Sequence, residues 1–294
     1  MDILFQNNQP IAAVPGGSCF NSIISLGRTG TPSLFLGYTG GDLVGQQTMD
    51  FLRDNGVGTE YFEMRENEKS AISLAYLNNQ GDANYLFYKT APNADPDTKI
   101  PIFGAEDVLL FGSYYASSPG TRLYVRRVLT EAQRAGSIVY YDLNFRKSHQ
   151  HELEQLMPAL IDNFQHSSVV RGSADDFEIM YAERDARTIY REHIAQYCPI
   201  FICTSGPGLI TVCTPSLTLD FPVPSIQTVS TVGAGDNFNA GFVYGLLKNG
   251  IRRDQLLHLS EAEWRKLLDS GCSFAAQACQ SEQNYISQEF AKSL

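Results

Sequence analysis

Thr231-Val232-Gly233-Ala234-Gly235-Asp236 runs directly into residues 237–247, an apolar stretch rich in small side chains. Gly233 and Gly235 flank an alanine, so the backbone there can turn tightly and leave its N–H groups uncovered. Phe238, Phe242, Val243, Leu246 and Leu247 supply the apolar face of a helix that begins near Asp236. Lys248 and Gly250 supply its C-terminal charge and its stop. A helix N-terminus of this kind favours anions, because unpaired donors and the helix dipole both attract negative charge. A carboxylate placed there competes with any bound anion. Two readings of Asp236 follow: a general base beside a phosphoryl group in transfer, or a residue that only caps its own helix.

The same grammar recurs near the start of the chain. Pro15-Gly16-Gly17-Ser18-Cys19-Phe20-Asn21 is a glycine turn opening a helix, with an amide side chain on the first turns. Gly37-Tyr38-Thr39-Gly40-Gly41-Asp42-Leu43-Val44-Gly45 follows the short apolar run 34–36. Outward from these blocks the chain alternates strand and helix, which predicts a parallel sheet covered on both faces. Strands are expected at 33–36, 108–111, 138–142, 168–170, 200–204 and 209–213, and helices at 18–28, 43–55, 122–135, 152–164, 186–197, 235–247 and 261–279. One stretch breaks the alternation: 71–78 and 84–89 flank Gln80-Gly81-Asp82, a hairpin by its turn chemistry. A smaller hairpin is expected from 3–5 and 11–14, and the two together would make a small sheet outside the main layer.

These blocks, in this order, resemble the ribokinase-like carbohydrate kinases, the PfkB-type family that includes fructokinases. The family's first signature, GG-x-x-x-N followed by G-x-D-x-x-G, is matched by Gly16, Gly17, Asn21, Gly40, Asp42 and Gly45. Its second, DT-x-GAGD-x-F-x-AG, is matched from Thr231 to Gly241 and departs at its first position, Ser230. The resemblance covers nearly the whole chain. It implies an α/β fold, the ribokinase-like three-layer α/β/α sandwich with a mostly parallel central sheet and a small β-sheet lid. It also implies a single kinase domain over 1–294 with lid elements near 2–14 and 71–90, and a possible homodimer through that lid.

Phosphoryl transfer needs in-line positioning, neutralised charge on the γ-phosphate and a group to receive the acceptor's proton. Under the resemblance, the N–H groups of Gly233, Ala234, Gly235 and Asp236 form the anion hole, and Asp236 takes the proton of a sugar hydroxyl. Asp2, Gly16, Gly17, Asn21, Gly41 and Asp42 are the sugar-side residues, since amides and carboxylates engage paired hydroxyls. For Asn21 a plain helix-turn hydrogen bond stands as the alternative, and for Asp42 an N-cap before Leu43. Family members usually begin with a strand that ends in a sugar-binding Asp. Asp2 falls about where that Asp belongs, so either an additional strand is expected upstream of Met1, or the sheet lacks a strand and exposes apolar surface.

The resemblance places ATP and Mg²⁺ on other segments. Ser173 and Asp176 fill an S-x-x-E-like pattern that holds Mg²⁺ and phosphate through water, the acid being one methylene short; a helix cap with acidic first-turn residues fits them equally. Thr204-Ser205-Gly206-Pro207-Gly208 resembles the T-x-G-x-x-G nucleotide loop with its last glycine displaced. Thr231 and Asn284 are further nucleotide candidates. Asp142-Leu143-Asn144-Phe145-Arg146 resembles the D-x-N-x-R segment of fructokinases and ketodeoxygluconate kinases, at the carboxyl end of a strand, where open α/β sheets bind ligands. Asn144 and Arg146 then meet substrate, with a surface salt bridge as the alternative for Arg146. Ser230 replaces the Asp that in many relatives helps to bind a monovalent cation, which leaves that dependence open.

Composition bounds the rest. The chain has 294 residues, 43% of them hydrophobic, enough for a sizeable core. A net charge of −10 argues against nucleic acid or an anionic membrane as the main partner. No apolar run approaches the ~18 residues of a membrane span, and six cysteines without C-x-x-C spacing read as reduced thiols of a cytoplasmic protein. The expected activity is ATP-dependent transfer to a hydroxyl of a small sugar, fructose-like or a keto-deoxy sugar acid. The alternative is a catalytically impaired binding protein of the same fold. A dinucleotide oxidoreductase is disfavoured, because no G-x-G-x-x-G follows a first strand.

Overall fold

The computed structural model describes residues 1–77, 83–88, 90–281 and 283–294. The chain divides into two compact units: Met1–Ala91, Ile226–Tyr244 and Ser270–Leu294 form the first, Pro92–Ser225 and Gly245–Asp269 the second.

The first unit begins β1 (Asp2–Gln6), β2 (Gln9–Val14), α1 (Ser18–Arg28), β3 (Ser33–Leu34), β4 (Gly37–Gly40), α2 (Leu43–Asp54), β5 (Val57–Gly58), β6 (Phe62–Arg65), β7 (Ile72–Leu77) and β8 (Ala83–Tyr88). Asn7 and Asn8 both take positive φ, 51° and 60°, which is the two-residue type I′ geometry that closes β1 onto β2. β1 also pairs in parallel with β7, and β7 in antiparallel with β8, giving a four-stranded sheet β2-β1-β7-β8. Both expected hairpins are therefore present and share one small sheet. The turn Gln80-Gly81-Asp82, and Lys89, lie outside the described residues. Of the expected strand 33–36 only β3 at 33–34 forms, paired with β5; β4 begins just beyond it at Gly37, φ 151°, and pairs with β6.

The second unit runs β9 (Val108–Gly112), α3 (Ser113–Ser117), α4 (Arg122–Ala135), β10 (Ile138–Asp142), α5 (Leu153–His166), β11 (Val169–Ser173), α6 (Ala174–Tyr181), α7 (Ala186–Ile189), β12 (Phe201–Thr204), β13 (Leu209–Cys213) and β14 (Thr218–Pro222). Its six-stranded sheet has the order β14-β13-β12-β11-β10-β9, parallel from β9 to β12 and antiparallel beyond. β10 is buried at every residue, which is why it reads as a continuous apolar run. In α4 the buried Tyr124, Val125, Val128, Leu129 and Ala132 form one stripe, and Gly136 at φ 83° ends the helix. The expected helix 186–197 is shorter than anticipated: α7 gives way at Tyr190–Ile194 to a wider π-type turn. Two long helices, α8 (Ala234–Lys248) and α9 (Glu261–Cys279), have residues in both units, and α10 (Gln288–Lys292) follows.

Candidate active site

Gly233 adopts φ 78°, a left-handed backbone that only glycine enters without strain. A Cβ there would also lie 3.0 Å from the carbonyl oxygen of Asn284, so the position excludes a side chain twice over. Ala234 N–H donates to Thr231 C=O at 3.2 Å, and Ser230 Oγ accepts from Val232 N–H at 3.2 Å. Of the four N–H groups expected in the anion hole, that of Ala234 thus closes the turn itself. Those of Gly233 and Gly235 donate to no described residue. Asp236 stands in the first turn of α8.

Helix α1 grips this turn from one face. Asn21 Nδ2 donates to Asp236 Oδ2 at 2.7 Å, and Ser22 Oγ donates to the Asp236 carbonyl at 2.7 Å. Ser25 Oγ donates to Asn237 Oδ1 at 2.5 Å. All three α1 residues are buried. Because a carboxylate only accepts, the amide nitrogen of Asn21 must face Asp236, which leaves Asn21 Oδ1 buried and without a donor among the described residues. That oxygen keeps its acceptor capacity unused by the described residues. Asn21 and Asp236 were legible from the sequence. Ser22, Ser25 and Asn237 were missed, and the signal was polar residues at 21, 22 and 25 interrupting Ile23, Ile24 and Leu26.

Asp2 opens β1, is buried, and accepts a hydrogen bond from Ser73 Oγ on β7. A Cβ on Gly16 would collide with the Asp2 carboxylate, and Gly17 at φ 138° leads into α1. Asp42 serves its turn in full: it accepts from Gly45 N–H at 3.0 Å, Ser70 Oγ at 2.6 Å and Ser70 N–H at 3.0 Å. The Ser70 hydroxyl, followed by the backbone N–H groups, holds its carboxyl down at about 2. Gly41 packs its backbone against Glu66, where a Cβ would approach the Glu66 Cα to 2.6 Å. Asp42 thus caps α2 and ties it to Ser70.

In the second unit, Asn144 (φ 41°) and Ser113 (φ 57°) follow the carboxyl ends of β10 and β9 in left-handed conformations, and Asn144 Nδ2 donates to Ser113 Oγ at 2.7 Å. Arg146 is exposed and has no ion-pair partner among the described residues, so the surface salt bridge weighed for it is not formed. Asp142 and Arg171 make a buried ion pair at 2.9 Å across β10 and β11. Burial alone would lower the Arg171 pKa, but the Asp142 carboxylate outweighs it and the guanidinium is held charged. Arg171 also donates to Thr204 Oγ1 at 2.7 Å, at the start of the 204–208 segment. That segment is the β12–β13 turn, with Gly206 at φ 55° in open space and Gly208 N–H on Ser205 C=O.

Ser173 and Asp176 form a capping box at the start of α6: Asp176 Oδ2 accepts from Ser173 N–H at 2.7 Å and Ser173 Oγ at 2.8 Å. Burial pushes the Asp176 carboxyl upward. In the first unit, Asn284 offers its carbonyl to Asn237 and keeps a buried Nδ2 with no acceptor among the described residues. Also in that unit, Tyr285 donates its hydroxyl to Pro15 C=O, just before Gly16 and Gly17. Among the described residues no helix is long and apolar enough to cross a membrane.

Comparison with known proteins gives a consistent result. The family model for pfkB family carbohydrate kinases matches residues 6–290. The chain is 26% identical to the fructokinase of Escherichia coli over 276 residues, 92% of this chain and 87% of that one. It is 28% identical to the 5-dehydro-2-deoxygluconokinase of Geobacillus kaustophilus over 250 residues, 80% of this chain and 73% of that one. Among solved structures, the fructokinase of Vibrio cholerae, in its fructose-, ADP- and calcium-bound form, aligns with a TM-score of 0.87 at 19% identity, covering 99% of this chain and 94% of that one. The fold is the ribokinase-like α/β fold with a small lid sheet.

Proposed function

The chain belongs to the pfkB family of carbohydrate kinases, and from that premise we propose that it transfers the γ-phosphate of ATP to a hydroxyl of a small sugar, either fructose-like or a keto-deoxy sugar acid. The observation that carries this reading is the 2.7 Å bond from Asn21 to Asp236 at a glycine turn with two unengaged N–H groups. A carboxylate aligned by a neighbouring amide is a proton acceptor with a fixed direction. The adjacent N–H groups of Gly233 and Gly235 are donors for the charge of a transferring phosphoryl group.

In the proposed reaction the acceptor hydroxyl loses its proton to Asp236 as its oxygen attacks the γ-phosphorus, and the bond to the leaving ADP oxygen breaks in line. Asn21 Oδ1 accepts from a second sugar hydroxyl, and Asp2, held by Ser73, accepts from others. Arg146, exposed and unpaired, suits an anionic group on the acceptor, which favours including sugar acids among the candidates. Thr204, Gly206, Gly208, Ser173, Thr231 and Asn284 are the proposed nucleotide residues.

Asp176 fits a magnesium ion engaged through water, since its Oδ1 takes no hydrogen bond from a described residue and Mg²⁺ keeps several of its waters. Such an ion, when bound, neutralises phosphate charge.

Fructose, 2-keto-3-deoxygluconate, ribose and adenosine, each offered with ATP and Mg²⁺ in an ADP-release assay, test the proposal. ADP release with one of the first two is expected. Turnover with adenosine alone would overturn the acceptor class, and nucleotide binding without turnover on any sugar would leave the binding-protein reading.

A further inference from the structure

Asn237 is fully buried, and each end of its carboxamide is bonded. Ile286 N–H donates to Ser25 Oγ at 3.2 Å, so the hydroxyl accepts from that loop and gives its own hydrogen to Asn237 Oδ1. The two carbonyls facing the other end of the carboxamide settle which end is oxygen, since a hydroxyl alone could accept twice. The amide nitrogen then places its two hydrogens on the carbonyls of Gly233 and Asn284, both at 2.8 Å, and each of those groups can only accept. Gly233 C=O also takes the backbone N–H of Asn237 at 2.9 Å, so one residue holds it with two donors.

A peptide unit is planar and trans, so fixing the Gly233 carbonyl fixes the Ala234 N–H that points the other way. Gly233 has no side chain to restrain its own φ. The clamp supplies that restraint, and it does so beside the two unengaged N–H groups and the Asp236 carboxylate. Ser22 on Asp236 C=O and Asn21 on its carboxylate complete the grip from α1.

We propose that Asn237, oriented by Ser25, is a positioning residue: it locks the 233–236 turn to residue 284 and keeps the phosphate donors and Asp236 in one geometry. The inference rests on the kinase reading, and two measurements keep the fates of the two apart. The first is turnover with the best acceptor of the panel. The second, independent of turnover, is the affinity for a non-hydrolysable ATP analogue divided by that for ADP, which reports on γ-phosphate contacts alone.

Asn237→Leu, close in size and without hydrogen bonds, is expected to lower kcat about 10- to 100-fold, the scale of a misplaced catalytic group. Acceptor KM should stay nearly constant, and the analogue-to-ADP affinity ratio should fall. Ser25→Ala should act in the same direction more weakly, and should add little to kcat in the Asn237→Leu background, because it works through Asn237. Loss of stability alone would leave the affinity ratio of the folded fraction unchanged. A folded Asn237→Leu with wild-type kcat and ratio overturns the proposal. So does a Ser25→Ala effect of equal size in both backgrounds. If Asn237→Leu does not fold, Ser25→Ala decides: wild-type kcat and ratio overturn the proposal, and a lowered kcat and ratio support it. A wild-type protein that binds the analogue but turns over no acceptor overturns the kinase reading, while the affinity ratio still tests Asn237.

Discussion

Asp236 combines two demands that ordinarily conflict, a negative charge and a position at an anion-attracting helix start. If it is the base, Asp236→Asn should keep the fold and nucleotide affinity and lower kcat by at least ~10², the low end for a positioned proton acceptor. Near-normal turnover in that variant would remove Asp236 from the reaction. Asn21→Asp tests the same contact from the other side. It sets a second carboxylate against Asp236, and like charges at that distance hold one proton between them. The acid limb of the kcat–pH profile should therefore move to higher pH, by about one unit or more; an unmoved limb would mean the two side chains do not meet in solution. At this scale the glycine turns, Asn21 and Asp236 were legible because their residue types carry local meaning. Asn237 was not, since an asparagine after an aspartate has no local signature, and the polar break that Ser25 makes in an apolar helix does not point to a partner 212 positions away.

Helix α2 shows how an element is pinned by its first residue. Asp42 caps it and bonds Ser70 as well, and the Ser70 hydroxyl leads in drawing its carboxyl from 3.8 to about 2. A carboxyl with a lowered folded-state pKa stabilises the fold above its unfolded value and loses that contribution as pH falls through the folded one. Asp42→Ala should then cost about 1 kcal/mol at neutral pH, the usual worth of an N-cap. In urea unfolding at stepped pH, the gap between variant and wild type should close between about pH 4 and pH 2. A gap of constant size down to pH 2 would assign the loss to packing. Elements with a clear pattern, α4 by its helical period and β10 as a continuous buried run, were readable from the sequence. The π-type turn at Tyr190–Ile194 was not, because a widened turn leaves the apolar spacing of a helix almost unchanged. β14 was missed although Leu219 and Phe221 alternate with exposed Thr218 and Asp220, because the run is only five residues long and ends in Pro222, a residue that argues against a strand.

For the whole molecule, the four-stranded sheet of the first unit leaves apolar side chains in water: Leu86 is 51% and Tyr88 63% exposed on the edge strand β8. An edge with such side chains invites a partner. We propose that a second copy of the chain covers it, and that Leu86→Asp with Tyr88→Asp turns a dimer into a monomer in sedimentation analysis while monomer unfolding is little changed. A wild-type protein that sediments as a monomer at micromolar concentration would exclude this interface.

The segmented makeup of the first unit has a temporal side. All six strands of the large sheet lie between Val108 and Pro222, so that sheet has its full complement of strands once residue 222 has been synthesised. Helix α1 leaves the ribosome far earlier, yet Asn21 waits 215 positions for Asp236, and Arg28 waits 258 for the carbonyl of Ile286. At about 5–20 residues per second that delay is tens of seconds at the slow end. Throughout it, Phe20 and Ile24 have Met49, Leu52, Val57 and Phe62 of their core already made and lack only Tyr285. During translation α1 thus keeps the part of its face that meets Asp236, Tyr285 and Ile286 uncovered until the chain is nearly complete. A ribosome stalled between residues 222 and 236 would release a polypeptide with a finished sheet and without the Asp236 carboxylate that Asn21 holds.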